Sequence, residues 1–172
     1  ATKIDDIQKE ADTINPDYLI VDTPGQIELF AYRQSGPFFV QNFDAEEKMN
    51  LFLFDGTMVS TPSNFVSLML LSTSIRLRLG LPTVNVITKT DLIQEKIEQV
   101  LSWSGTDSRL EADLASELNG DTFSLVSDML TSINRNDFQQ DLIPVSNATG
   151  DGMVNLQSAL SRTINLGEEI ED

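Results

Sequence analysis

The chain has 172 residues, 40% of them hydrophobic, and a formal net charge of −16 at pH 7. That length can bury one sizeable core rather than two independent ones, and the charge opposes a polyanionic backbone, so nucleic-acid binding is not expected. With no cysteine and no histidine, disulfides, thiolate metal sites, cysteine nucleophiles and the Ser-His-Asp arrangement are excluded, which leaves carboxylates, amides, hydroxyls and a bound metal.

No apolar run reaches the roughly 18 residues that a membrane-spanning helix needs, and charges stand where a signal peptide would carry its apolar core. A soluble, cytoplasmic protein without membrane contact is expected. Acidic residues are widely spread, denser at 44–47 and 168–172, and read as solvated surface.

In chain order, Ile4, Ile7, Ala11 and Ile14 have the spacing of an amphipathic helix. The run 18–21 reads as a first strand and ends in Asp22-Thr23-Pro24-Gly25-Gln26. A carboxylate directly after a strand, as at Asp22, can hold Mg²⁺ through its water shell. Gly25 lets a backbone N–H approach a γ-phosphate, and the amide of Gln26 can orient an attacking water. Alone, the same residues make an ordinary turn with a surface glutamine. Arg33, on an expected helix, is the basic residue nearest this segment.

A second strand is expected over 51–54. It is followed by a long helix with Thr61 as N-cap, Pro62 at the first helical position and Gly80 as C-terminal stop. This helix is apolar on more than one side, so it is either deeply buried or also faces a partner subunit. Arg76 and Arg78 near its end suit either interfacial ion pairs or plain solvation.

A third run, 83–88, leads into Thr88-Lys89-Thr90-Asp91. The Asp91 carboxylate can accept paired hydrogen bonds from the N1–H and amino group of guanine, a pair that adenine lacks. Lys89 can lay its methylene stem along the base with its ammonium in water, and Thr88 can brace the loop. The rival reading makes Asp91 a helix N-cap.

Residues 93–139 show helical spacing at Ile93, Ile97, Val100 and Leu101, then Leu110, Leu114 and Leu118, then Phe123, Val126, Met129 and Leu130, with turns at 102–108 and 119–121. They read as a helical insertion. A fourth run, 142–145, precedes Ser146-Asn147-Ala148-Thr149-Gly150, where a backbone N–H can meet the guanine carbonyl, although serine and asparagine are also ordinary turn residues.

The four runs lack clean polar–apolar alternation and are separated by helical patterns, which predicts an α/β fold with a mostly parallel sheet flanked by helices. The chemistry then belongs in loops at the carboxyl ends of strands. The expected organisation is one domain over 1–172.

The chain resembles the GPN-loop GTPases, a branch of the P-loop NTPases. The resemblance rests on residues 17–28, Asp55 after an apolar strand, Ser63-Asn64-Phe65 opening a long helix, the tetrapeptide at 88–91 and Pro144-Val145-Ser146. It implies a GTP-hydrolysing homodimer or heterodimer that binds GTP and GDP with Mg²⁺. Asp22 would be on the metal side, Gln26 near the γ-phosphate as a catalytic group, and Thr88, Lys89 and Asp91 at the base, with a possible protein client.

Two family features do not occur upstream of Asp17: the Gly-x-x-x-x-Gly-Lys-Ser/Thr loop and the Gly-Pro-Asn loop. Gly36-Pro37 is followed by Phe38. The fold is therefore expected to be an incomplete P-loop NTPase type, the carboxyl-terminal portion of a longer protein, exposing sheet edge and apolar surface where a central strand is lacking. A lesser departure is Asn147, where an alanine is commoner. The alternative function is a non-catalytic interaction module that docks proteins through 62–79 and the acidic insertion. An ATPase of similar fold is opposed by Asp91.

Overall fold

Three of the four apolar runs form strands in the computed structural model, which describes residues 2–105, 109–134 and 142–168. β1 (Asn50–Asp55), β2 (Thr83–Thr88) and β3 (Leu142–Pro144) pair in that order, all parallel. The central strand β2 is buried from Thr83 to Ile87, as expected for a strand covered on both faces. On one face Phe52, Phe54 and Ile87 join a cluster with Phe65, Val66, Met69 and Ile75 of α3 (Pro62–Leu79). On the other, Val84, Val86, Ile143 and Val145 pack with Leu156, Ala159 and Leu160 of α7 (Met153–Glu168).

The run 18–21 corrects the sequence reading, because it belongs to no strand. Ile20 is 87% exposed and Tyr18 67%. β-branched residues favour an extended backbone, but a strand also needs a neighbour to complete its hydrogen-bond ladder, and among the described residues this run has none. Among the described residues, β1 likewise pairs on one side only. Its Leu51 and Leu53, beside Val84 and Val86 in the register, stay exposed.

The termini of α3 follow the sequence expectation. Thr61 accepts from the Asn64 N–H, Pro62 opens the helix, and Gly80 closes it in the left-handed conformation at φ 68°. Of the two readings of its apolar surface, burial within the chain accounts for most, since Leu68, Leu70 and Leu71 also pack against the larger cluster. Leu77 remains exposed. The buried Ser72 hydroxyl donates to Asn85 Oδ1 at 2.6 Å, which satisfies polar groups between helix and sheet.

The segment before β1 is attached to this frame. A π-helical turn, Glu28–Tyr32, precedes α2 (Ser35–Asn42). A Cβ on the buried Gly36 would lie 2.0 Å from the Phe30 carbonyl oxygen, so only glycine permits that approach. Arg78 Nε donates to the Ala31 carbonyl at 3.2 Å, so this arginine holds main chain and is neither merely solvated nor reserved for an interface. In α1 (Thr2–Ile14), the Gln8 side chain accepts from the Asp44 N–H at 2.8 Å and donates to its carbonyl at 3.2 Å.

Between β2 and β3 lie α4 (Ile97–Ser104), α5 (Leu110–Glu117) and α6 (Gly120–Asn134). Residues 106–108 of the expected turn, the end of the insertion at 135–139 and the acidic residues 169–172 lie outside the described residues. Val100, Trp103, Leu110 and Leu114 are buried in the α3 cluster, and Phe123, Val126 and Leu130 pack against it. The Trp103 indole donates to Asp113 at 2.7 Å and holds its carboxyl below the usual range. Glu117 accepts from the Ser63 hydroxyl at 2.7 Å and its backbone N–H at 3.0 Å, which places negative charge at the N-terminus of α3 and lowers the Glu117 pKa.

These contacts predict that the insertion and the sheet unfold together. Leu114→Ala should remove about 2–5 kcal/mol of stability in one cooperative denaturant transition monitored at Trp103 and by far-ultraviolet circular dichroism. A separate early transition at Trp103, with the bulk of the signal unmoved, would contradict this.

Candidate functional site

The parallel register brings the carboxyl ends of the three strands together, with Asp55 beside Thr88 and Ile87 beside Pro144. Short bonds join the chains that leave these ends. Thr88 Oγ1 donates to the Phe54 carbonyl at 3.1 Å, and the Val145 N–H donates to the Ile87 carbonyl at 2.8 Å. The Thr90 N–H reaches the Val145 carbonyl at 3.3 Å. The loops carrying 88–91 and 146–150 are therefore one structure.

Within it, Lys89 takes a left-handed conformation at φ 57°, and a single 3-10 turn, Thr90–Leu92, carries the half-buried Asp91. The buried Ser146 hydroxyl donates to Asp91 Oδ1 at 2.6 Å and accepts from the Thr149 N–H at 3.2 Å. Ser146 also donates its N–H to the Asp151 carbonyl at 3.0 Å, while its own carbonyl accepts from the Gly150 N–H at 2.8 Å. Gly152 has φ 81°, and a Cβ there would meet the Pro144 carbonyl oxygen at 1.8 Å. Among the described residues, no hydrogen bond takes the backbone N–H of Asn147 or Ala148. The loops thus set a carboxylate with spare lone pairs beside free backbone donors.

The Lys89 side chain is 55% exposed, and its ammonium also has a partner that the sequence did not show. Its Nζ pairs with Asp55 Oδ2 at 2.6 Å. Asp55 also accepts from the Thr57 hydroxyl at 2.7 Å and its N–H at 2.9 Å. The ammonium, helped by Thr57, holds the Asp55 carboxyl down to about 2. Asp55 was visible in the sequence only as the acid that ends a strand. The register that sets it beside Thr88 gives it a partner.

Asp22, Gly25 and Gln26 lie in an exposed, non-helical segment that runs into the π-helical turn, where the Leu29 N–H donates to the Gln26 carbonyl at 2.9 Å. A Cβ on Gly25 would meet nothing within 4 Å, so internal packing does not demand glycine there. Thr88, Lys89, Asp91, Ser146 and Asn147 come together at the strand ends; among the described residues, no hydrogen bond joins 22–26 to them. Arg33 stands after the π-helical turn in extended conformation and not on a helix. No group of three or more acidic side chains that could hold a metal occurs among the described residues. Asp22, an exposed carboxylate, does not make a protein cage for a metal; a magnesium ion held by one carboxylate would keep most of its waters.

A family described as "Conserved hypothetical ATP binding protein" matches residues 1–166. GPN-loop GTPase QQT2 of Arabidopsis thaliana is 32% identical over 160 residues, 89% of this chain and 40% of the relative. The chain belongs to the GPN-loop GTPase family. GPN-loop GTPase 1 of Saccharomyces cerevisiae is 28% identical over 95% of this chain and 45% of its own length, so the chain spans less than half of these two members. A GTPase from Pyrococcus abyssi, solved in its apo form, matches with a TM-score of 0.78 over 94% of this chain and 65% of that one, at 20% identity. The GPN-loop family chain shares its fold, an α/β arrangement of the P-loop NTPase kind.

Asp55 gives this site a pH signature. Its depressed carboxyl contributes stability that is complete above the unfolded value of 3.8 and fades as pH falls through about 2. The stability difference between the natural protein and Asp55→Asn in urea unfolding should therefore hold steady from about pH 7 to 5 and shrink between about pH 4 and 2. A difference that stays constant to the bottom of that window would refute the ion pair. Separately, Gly152→Ala should destabilise by more than ~1 kcal/mol, read from the same unfolding curves.

Proposed function

We propose that the chain carries the switch and guanine-recognition loops of a GTP-binding, GTP-hydrolysing protein of the GPN-loop type. The observation that carries this reading is the assembly of Asp91, Ser146 and the free N–H groups of Asn147 and Ala148 at the ends of β2 and β3. Guanine offers N1–H and an amino group to a carboxylate and a carbonyl oxygen to backbone donors. Adenine offers an amino group where guanine has that oxygen, so the same loops discriminate against it. This favours GTP and GDP over the nucleotide in the family's description.

Hydrolysis in this reading falls to the exposed segment 22–26. Gln26 orients the attacking water, the Gly25 N–H meets the γ-phosphate, and Asp22 holds the water shell of Mg²⁺, whose role is to neutralise charge developing on the phosphate oxygens. Residues 1–172 contain no Gly-x-x-x-x-Gly-Lys-Ser/Thr loop. Backbone amides and a lysine in such a loop supply most of the grip on the phosphates, so the 172-residue chain by itself should bind GTP weakly or not at all and should not turn it over.

Work in the cytoplasm as a homodimer or heterodimer, with a protein client, belongs to the same proposal. The exposed Leu77 of α3 and the groove of about 330 Å³ lined by Leu70, Leu125, Asp128, Met129 and Ser132 support a partner surface. No helix of the described residues is long and apolar enough to cross a membrane.

The test is equilibrium binding of GTP and ATP to the full-length gene product and to its Asp91→Ala variant. GTP should bind more tightly, and the substitution should erase a preference of about a hundredfold, as two hydrogen bonds to a charged group imply. Equal affinities in the unaltered protein would end the guanine assignment, and turnover by the isolated 172-residue chain would contradict the view of where the phosphate grip lies.

A further inference from the structure

We propose that Asp55 is a positioning residue for guanine recognition, its carboxylate at the end of β1 holding the Lys89 ammonium and so fixing the left-handed turn that directs Asp91. The inference rests on the guanine reading and adds to it a residue from a third loop.

Lys89 bears a Cβ and yet stands at φ 57°, ψ 35°. Such a conformation persists in a non-glycine residue only where its surroundings hold it. The Leu92 N–H donates to the Lys89 carbonyl at 3.0 Å and the Ile93 N–H to the Thr90 carbonyl at 3.2 Å. These bonds make 89–93 one small rigid unit with Asp91 inside, so rotation at Lys89 carries the Asp91 carboxylate with it. Ser146 secures that carboxylate from one side at 2.6 Å. Lys89, anchored at 2.6 Å to Asp55, secures the opposite end of the turn.

Asp55 is itself a fixed point. It lies beside Thr88 in the β1–β2 register and accepts two bonds from Thr57. Next to it, Gly56 is buried, and a Cβ there would come within 2.6 Å of the Thr88 carbonyl oxygen. The β1 loop and the start of the base loop are therefore in backbone contact, and a tether from Asp55 to Lys89 spans a junction already closed. The side chains of Lys89 and Asp55 are 55% and 29% exposed, so dissolved salt can screen the pair, which provides a readout that a packing role lacks.

The rival role for Asp55 is simple capping of the turn Gly56–Met58 through Thr57. The two roles separate in a double-mutant cycle on the full-length gene product, with GDP as probe, ADP as control and the unfolding midpoint recorded for every variant. If Asp55 acts through Lys89, Asp55→Asn weakens GDP binding on the order of tenfold in the natural background but less than about twofold in Lys89→Met. Raising the salt then narrows the gap between the natural protein and Asp55→Asn. An equal loss in both backgrounds, insensitive to salt, assigns capping alone and overturns the proposal, as does natural GDP affinity in Asp55→Asn. Should Asp55→Asn not fold, Lys89→Met alone answers, with a smaller salt dependence of GDP binding than in the natural protein if the pair matters and the same salt dependence if not. Equal binding of GDP and ADP by the unaltered protein removes the guanine reading and this inference with it; a GDP preference untouched by Asp55→Asn removes only the inference.

Discussion

The parallel hydrogen-bond ladder of β1, β2 and β3 is the constraint from which the rest of the structure follows. In a parallel sheet every strand ends on the same side, so the loops that leave those ends must share one rim. Here the register sets Asp55 level with Thr88, and Ile87 level with Pro144. Residues 55, 88–91 and 146, far apart in sequence, meet because the strands before them are held in step. The ladder is in turn held by burial: β2 is covered on both faces, by α3 on one and α7 on the other.

The rim concentrates acid. Asp55, Asp91 and Asp151 all lie there in a chain of net charge −16, and their arrangement limits the repulsion. Lys89 pairs with Asp55, Ser146 donates to Asp91, and Thr149 donates to Asp151 at 2.6 Å. For Asp55 the bonds from Lys89 and Thr57 favour the charged form. Glu117 repeats the device at the start of α3, where backbone and hydroxyl donors of Ser63 receive it. That contact ties the helical insertion to the helix that covers the sheet.

The side of the sheet beyond β1 differs from the rest. Leu51 and Leu53 point to the same face as Val84 and Val86 but stay exposed, because α7 packs on β2 and β3. The run 18–21, which has the composition of a strand, lies exposed with no ladder partner among the described residues. Apolar composition specifies what a segment can do, and only a neighbour with free donors and acceptors makes it a strand.

The sequence by itself determined the local features whose physics is local. The caps of α3 at Thr61, Pro62 and Gly80, the spacing that buries Leu110 and Leu114, and the residue types of the 88–91 loop could all be read there, because each depends on neighbours within a turn or two. The tertiary structure alone decided that Lys89 pairs with Asp55, that Arg78 holds the carbonyls of the π-helical turn, and that 18–21 is not a strand. Those outcomes depend on which strand lies beside which and in what register, a matter of contacts more than 30 residues apart in sequence, and periodicity along one segment carries no record of the segment it will meet.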